Sequence, residues 1–463
     1  MLTALIALTL SPAVQASGFY SADPGVRANG RSGAFTAGAD DLSAQLYNPA
    51  ALTRLRRPQA MISLSGVSQK VNFDRLDEGD LIFDPVENSS APFLIPNFAV
   101  SHTFGLPDTT FALGLYTPYA PTFEYPEDGP QRFALTESSV LETSFGPSVA
   151  HRFGWLSVGA GFAWKVLGVT QDLTITTGGE DDPIHDVGVR LEVYDWSTYS
   201  WNAGVLAEPT DWLAIGVQFT PPVSYEARGS FQADMSNNFF YNSELITDET
   251  ASDDDIALIL KMPMIIRSGV AVKPMEELEI EVGYTYSGWS SVDELLVTDV
   301  ELILHTNADN PLIPEGTPEE LITDDDIVLP AGYQNTSTVR LGVEYDINEK
   351  VSARAGGMYE TAAVPRKTLS VQLVDGVKYG YSAGVTVQPW ERWAIDGVWS
   401  QTFLAALDIK NSEYAQVYVE IDLADLSAPP EITDGKIVSN GTYDSNIQIF
   451  GLAATHYFGK STE

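Results

Sequence analysis

From Gln59 onward, the dominant period of apolar and polar positions along the chain is two. In Trp155–Val169 one face carries Trp155, Ser157, Gly159, Gly161, Ala163, Lys165 and Leu167. The other carries Leu156, Val158, Ala160, Phe162, Trp164, Val166 and Gly168. Ile265–Val272 and Tyr379–Val387 repeat the arrangement, with apolar residues on one side and Gly, Ser or Thr on the other. Such alternation is that of a strand with one face in lipid and one in a lumen, and it is weak in any single segment. Its repetition carries the argument. Fourteen segments show it: 59–72, 93–104, 110–118, 141–152, 155–175, 185–205, 211–231, 256–272, 277–304, 336–346, 350–361, 378–388, 392–409 and 446–458.

The connections between these segments alternate in length. Short turns fall at Gly105–Thr109, Phe153-Gly154, Glu208–Asp211, Lys273–Glu276, Asn348-Glu349 and Pro389–Glu391. Long loops fall at Asp74–Pro92, Tyr119–Leu135, Thr176–Ile184, Gln232–Asp255, His305–Asn335, Thr361–Val377 and Asn411–Ser445. A soluble sandwich has no reason to sort its loops this way, whereas an outer-membrane barrel has short periplasmic turns and long external loops. The expected fold is therefore all-β, a 14-stranded antiparallel transmembrane β-barrel over residues 58–459, with both termini periplasmic and a short tail at 460–463. Trp155, Trp212 and Trp393 each begin a strand after a short turn, as an interfacial aromatic girdle requires.

A barrel of this size has a lumen that its own side chains cannot fill. The segment Ser17–Leu55, rich in Gly and Ala and too poor in bulky apolar residues to form a core, is the candidate occupant. Residues 17–57 are read as an N-terminal hatch (plug) inside the lumen. Residues 1–16, MLTALIALTLSPAVQA, have the apolar run and small terminal residues of a secretory signal peptide. No other segment has the ~20 apolar residues of a membrane helix.

Composition narrows the function. The net charge of -38 excludes phosphate neutralisation and hence nucleic acid. Zero cysteines exclude disulfides, thiolate metal sites and a Cys nucleophile. The five histidines form no metal spacing and no G-x-S-x-G elbow occurs, so neither an enzyme nor a cofactor is expected. His185 and His305 leave a narrow opening for a barrel hydrolase. Asp253–Asp255 and Asp324–Asp326 lack the spaced ligands and Gly of an EF-hand, and read as solvated loop charge.

With these features in place, the chain resembles the FadL/TodX outer-membrane transporters of long-chain fatty acids and aromatic hydrocarbons. The resemblance begins at Ser17-Gly18-Phe19 and runs through Gly30-Arg31, Asp40-Asp41 and Asn48-Pro49-Ala50, which is similar to the family's NPA hatch motif. It continues through Phe145–Ala150, Val158–Gly161, Trp212–Glu226 and Gly269–Trp289. Two departures stand out: Tyr457-Phe458 is followed by five further residues, and the long loops are unusually acidic.

The resemblance implies passive transport of a hydrophobic small molecule, bound above the hatch and released through a side opening in the wall. Phe19 and Tyr20 would contact the ligand from the hatch terminus, the alternative being simple packing of aromatic side chains between hatch and wall. Asn48, Pro49 and Ala50 would brace the hatch against the wall, the alternative being an ordinary Asn-Pro turn. Arg31 would pair with a barrel carboxylate or with a ligand head group. Gly114, Pro118 and Pro121 would kink the third strand and open the wall, or merely end that strand. The expected partners are a fatty acid or aromatic hydrocarbon, outer-membrane lipids and lipopolysaccharide, with the protein a monomer. The rival readings are a general diffusion porin and a barrel adhesin acting through its acidic external loops.

Overall fold

The computed structural model describes residues 24–459, apart from 80, 179–180, 314–315, 325 and 422–430. The leader 1–16, the aromatics Phe19 and Tyr20, and the tail 460–463 lie outside the described residues, as does part of the Asp324–Asp326 run.

Fourteen antiparallel staves close into one barrel. In chain order they are β1 (Gln59–Arg75), β2 (Phe93–His102), β3 (Thr109–Tyr119), β4 (Glu137–Phe153), β5 (Leu156–Thr176) and β6 (Asp186–Thr210). Next come β7 (Leu213–Thr220, continued by Val223–Asp234), β8 (Thr250–Met262, continued by Ile265–Met275), and β9 (Leu278–Ser287, continued by Glu294–Thr298). The last five are β10 (Ile327–Pro330, leading into Thr336–Asn348), β11 (Val351–Glu360), β12 (Lys378–Trp390), β13 (Trp393–Leu404) and β14 (Gly441–Tyr457). β14 pairs with β1 from Gln59↔Tyr457 to Arg75↔Gly441, which closes the barrel on itself.

Alternation in the sequence becomes alternation across the wall. On β1, Met61, Ser63 and Ser65 point inward and are buried, while Ile62 and Leu64 are exposed on the outer face. The outer face is banded by aromatics. Trp155, Trp212 and Trp393 sit at the short-turn end, and Trp164, Trp196 and Tyr199 lie further along the same wall, all exposed. From Trp155 to Trp164 the strand rises roughly 30 Å, or about 23 Å along the barrel axis at a ~40° tilt, which matches the apolar band of an outer-membrane barrel.

Three staves differ from the pattern-based expectation. The seventh and eighth, expected to be continuous, are interrupted at Pro221-Pro222 and Pro263-Met264, where a missing N–H breaks the ladder. The ninth, expected over 277–304, leaves the wall at Gly288 and turns through Trp289–Ser291. The Trp289 indole is buried there, edge-on to Tyr333. Burial of so large a side chain competes successfully with the ladder. Glu301–His305 pairs instead with Glu320–Asp324 in a separate hairpin.

The described N-terminal segment lies inside the barrel, toward its short-turn end. It carries two short helices, α1 (Val26–Gly30) and α2 (Ala44–Tyr47), followed by a 3-10 turn at Pro49–Arg54. Gly33, at φ 77°, ends α1, and its N–H donates to Ala28 O. Phe35, Leu42, Tyr47 and Leu52 form the segment's apolar side. They pack on wall positions that are mostly alanine: Ala99, Ala112, Ala150, Ala214 and Ala271. Small wall residues make room for the hatch.

Candidate functional site

The hatch is fastened by buried charge. Glu281, on β9, has a fully buried carboxylate that accepts from the backbone N–H groups of Thr36, Ala37 and Gly38 at 2.8, 2.9 and 2.7 Å. Arg31 adds a fourth donor to it at 3.2 Å and also donates to Glu279 at 2.8 Å, with Glu344 at 3.5 Å. Three successive main-chain donors and a guanidinium thus surround one wall carboxylate, the type of concavity that binds anions. Burial works against the charged form of Arg31, but the surrounding carboxylates outweigh it and hold its pKa above the ordinary arginine value.

Other pairs surround this one. Arg27 bridges Asp396 of β13 and Asp40 of the hatch, each at 2.9 Å. Arg354 of β11 grips Glu344 with two hydrogen bonds of 2.9 and 2.8 Å. Arg340 of β10 donates to Ser32 O at 2.8 Å. Arg54 and Arg152 share Glu208 near the short-turn rim, both at 3.1 Å.

Asn48-Pro49-Ala50 meets the wall on its opposite side, at β5 and β6. The Asn48 side chain caps the 3-10 turn by accepting from Ala50 N at 3.1 Å, and Pro49 occupies the first turn position that its fixed φ suits. Its amide donates to Thr36 O at 2.9 Å and to Val205 O at 3.1 Å. The wall is glycine at the point of contact: a Cβ on Gly204 would stand 2.1 Å from Asn48 Oδ1, and one on Gly159 would stand 2.4 Å from the Pro49 carbonyl carbon.

Above the hatch are two stacked cavities. The upper is walled by side chains such as Phe123, Val169, Leu191, Phe231, Leu260 and Leu404. Its one lining cation among the described residues, Lys378, is paired with Glu360 at 3.1 Å and Asp375 at 2.8 Å. The lower reaches the hatch at Pro24, Gln45 and Leu46. Its lining includes Lys165 and Arg267 and, among the described residues, no carboxylate. Lys165 bonds to Glu142; Arg267 donates to Gln218 at 3.1 Å and lies over the Tyr47 ring. Under the hatch, a third space is polar, with Arg27, Arg54, Arg152, Glu276, Glu277 and Asp346 among its lining.

Gly114 and Pro118 of β3 line the lower cavity, and Pro121 lines the upper. The β2–β3 ladder runs only from His102↔Phe111 to Phe98↔Leu115. Past Leu115, β3 stays paired with β4 but shifts register between Tyr116 and Tyr119, around Pro118. One side-chain bond, from Thr117 N to Asn97 Oδ1 at 3.1 Å, reaches across to β2 in that stretch. The hatch holds β3 there: Tyr116 donates to Leu42 O at 2.7 Å and accepts from Gln45 at 2.9 Å.

The outer loops hold His185 and His305 apart from these cavities. His305 Nδ1 lies 3.0 Å from Asp248, and His185 lies beside Phe239. No metal-holding group of three ligands occurs among the described residues.

Sequence reasoning singled out Arg31 and Asn48 but missed Glu279, Glu281, Lys165 and Arg267. The signal was present in Leu278–Val282, where acids alternate with apolar residues on a strand. Charges on the inward face of a barrel need inward partners.

A closed wall, an aromatic band and a lumen filled by the chain's own N-terminal segment define a plugged outer-membrane β-barrel. Residues 7–458 match the model of the outer membrane protein transport protein family (OMPP1/FadL/TodX), and the chain belongs to that family. A Neisseria meningitidis outer membrane protein is 20% identical over 478 residues, covering 96% of this chain and 95% of that protein. Among solved structures, a Pseudomonas aeruginosa FadL homologue superposes with a TM-score of 0.73 at 16% identity, covering 96% of this chain and 100% of that one. The Pseudomonas putida toluene transporter TodX superposes with a TM-score of 0.64 at 13% identity, covering 97% and 100%.

Proposed function

We propose that this protein carries hydrophobic compounds across the outer membrane by passive diffusion, and that its cargo includes amphiphiles with a carboxylate head, such as long-chain fatty acids. The observation that carries this reading is the stacking of an apolar chamber on a cavity lined by two cations, of which Lys165 is bonded to Glu142 and Arg267 has no carboxylate partner among the described residues. In a chain of 63 acids and 25 bases, that pairing suits an apolar tail above and an anionic head below. Phe19 and Tyr20 precede Pro24, which lines the lower cavity, and we assign them to ligand contact. Arg31, committed to wall carboxylates, is assigned to holding the hatch.

The exit in this reading is sideways, between β2 and β3, where Gly114, Pro118 and Pro121 bend the wall. An apolar molecule gains about 25 cal/mol per Å2 by staying out of water. The way straight down leads into a charged space, whereas the side leads into lipid. The short-turn end faces the periplasm, with the first and last staves of the wall beginning and ending there, and each barrel acts as a monomer because one chain holds the whole route.

The test is a cross-link. Continuing the β2–β3 register would set Pro96 opposite Thr117. Cysteines at these positions, in a chain that has none, are joined with a thiol-specific reagent in cells that depend on the protein for uptake. Fatty-acid uptake is expected to fall to background when joined and to recover with a cleavable linker on reduction. Uptake unchanged by complete cross-linking would rule out the sideways route.

A further inference from the structure

We propose that the outer face of the short-turn end, beside β1 to β3, seats an anionic phospholipid. A groove there is lined by Phe104, Phe111, Leu113 and Phe458, with Arg56 and Arg57 among its polar residues. Phe111 and Leu113 are lipid-facing positions of β3, and Phe104 is 70% exposed at the turn below them. Phe104 packs against Phe111 with ring centres 5.6 Å apart, so the apolar wall is continuous from the turn onto the strand.

The charge of the groove identifies the occupant. Among the described residues no Asp or Glu lines it, although acids outnumber bases more than twofold in the chain. Arg57 lies over the Tyr457 ring at 5.1 Å and donates to Gly459 O at 3.3 Å, which leaves further guanidinium N–H groups for a ligand. Arg56, which also borders the polar space under the hatch, is exposed and makes no ion pair among the described residues. Two guanidinium groups beside an apolar strip match a phosphodiester with its acyl chains, since the planar fork of arginine fits phosphate oxygens. The height agrees too: Trp155, Trp212 and Trp393 mark the membrane–water boundary at this end. The inference rests on the barrel's placement in the membrane and not on what the lumen carries.

The experiment uses the full chain in nanodiscs of phosphatidylglycerol and phosphatidylcholine in equal parts. Lipid retained after gentle detergent extraction is counted by native mass spectrometry, with folding checked by heat-modifiable migration on gels. The wild type is expected to retain phosphatidylglycerol about tenfold over phosphatidylcholine, because each basic residue at an anionic surface adds appreciable attraction. R56A/R57A is expected to abolish the preference, and R56K/R57K to keep part of it. The exposed R56A single variant, expected to lower the preference, serves if the double variant does not assemble. A wild type without preference, or a preference that survives in R56A/R57A, would overturn the proposal. Fatty-acid uptake is measured alongside; loss of lipid preference with normal uptake separates this site from the transport route.

Discussion

Arg31 of the hatch and Glu281 of the wall, both fully buried and 250 residues apart in the chain, meet at 3.2 Å. Neither charge could be buried alone without a large cost, so each fixes the position of the other. Because Glu281 also collects three hatch N–H groups, its removal leaves several buried donors unmet at once.

Glu281→Ala should therefore loosen the hatch by about 3–5 kcal/mol while leaving the barrel closed. In planar bilayers the wild-type protein is expected to pass little ionic current, and the variant to show frequent large openings. Equal, steady currents from both would point to an open porin.

Gly204→Val tests the contact from the wall side. The added side chain would collide with Asn48 Oδ1 and drive the Asn-Pro turn off β6. Asn48→Ala removes the amide that joins Thr36 O to Val205 O. Both should expose the hatch to protease by about 2–3 kcal/mol of lost docking, the cost of burying polar groups without partners. Cleavage after limited proteolysis of the folded barrel reads this directly.

Acid should tighten the hatch through Asp41. Burial pushes its carboxyl up to about 6 against the pull of Arg27, and Asp40 and Asp396 add to the rise. The docked value lies above the ordinary 3.8, so docking takes up a proton. The contribution is complete below the ordinary value and is lost as pH rises through about 6, a difference on the order of 3 kcal/mol. Protease resistance of the hatch should be greater at pH 5 than at pH 7. Asp41→Asn should flatten that dependence, and a slope unchanged in the variant would assign it elsewhere.

Arg267→Met should separate cargo classes. Losing a charge-assisted bond to a carboxylate costs ~1.5–3 kcal/mol, so fatty-acid uptake should fall about tenfold or more. Uptake of a neutral aromatic hydrocarbon should hardly change. Equal loss of both would place Arg267 in the wall's architecture and not in head-group recognition.

Much of this protein was legible in its sequence because barrels are written locally. A period of two, turns that alternate short and long, and Trp residues at strand starts depend only on neighbours along the chain. They suffice for fourteen staves and for a small-residue segment that must go inside. The interruptions at Pro221-Pro222 and Pro263-Met264 were readable by the same logic. The departure at Gly288 was not, because burial of the Trp289 indole depends on Tyr333, far along the chain.

What only the tertiary structure decided is which inward residue faces which. Glu281 meets Arg31, Gly204 admits Asn48, and Lys165 shares a cavity with Arg267, because closing the barrel at one register sets the height of every stave against every other. Alternation says that a side chain points inward; it carries no information on what stands opposite across the lumen. That is settled when β1 pairs with β14, and with it the place of the hatch, the two cavities above it and the break beside β3.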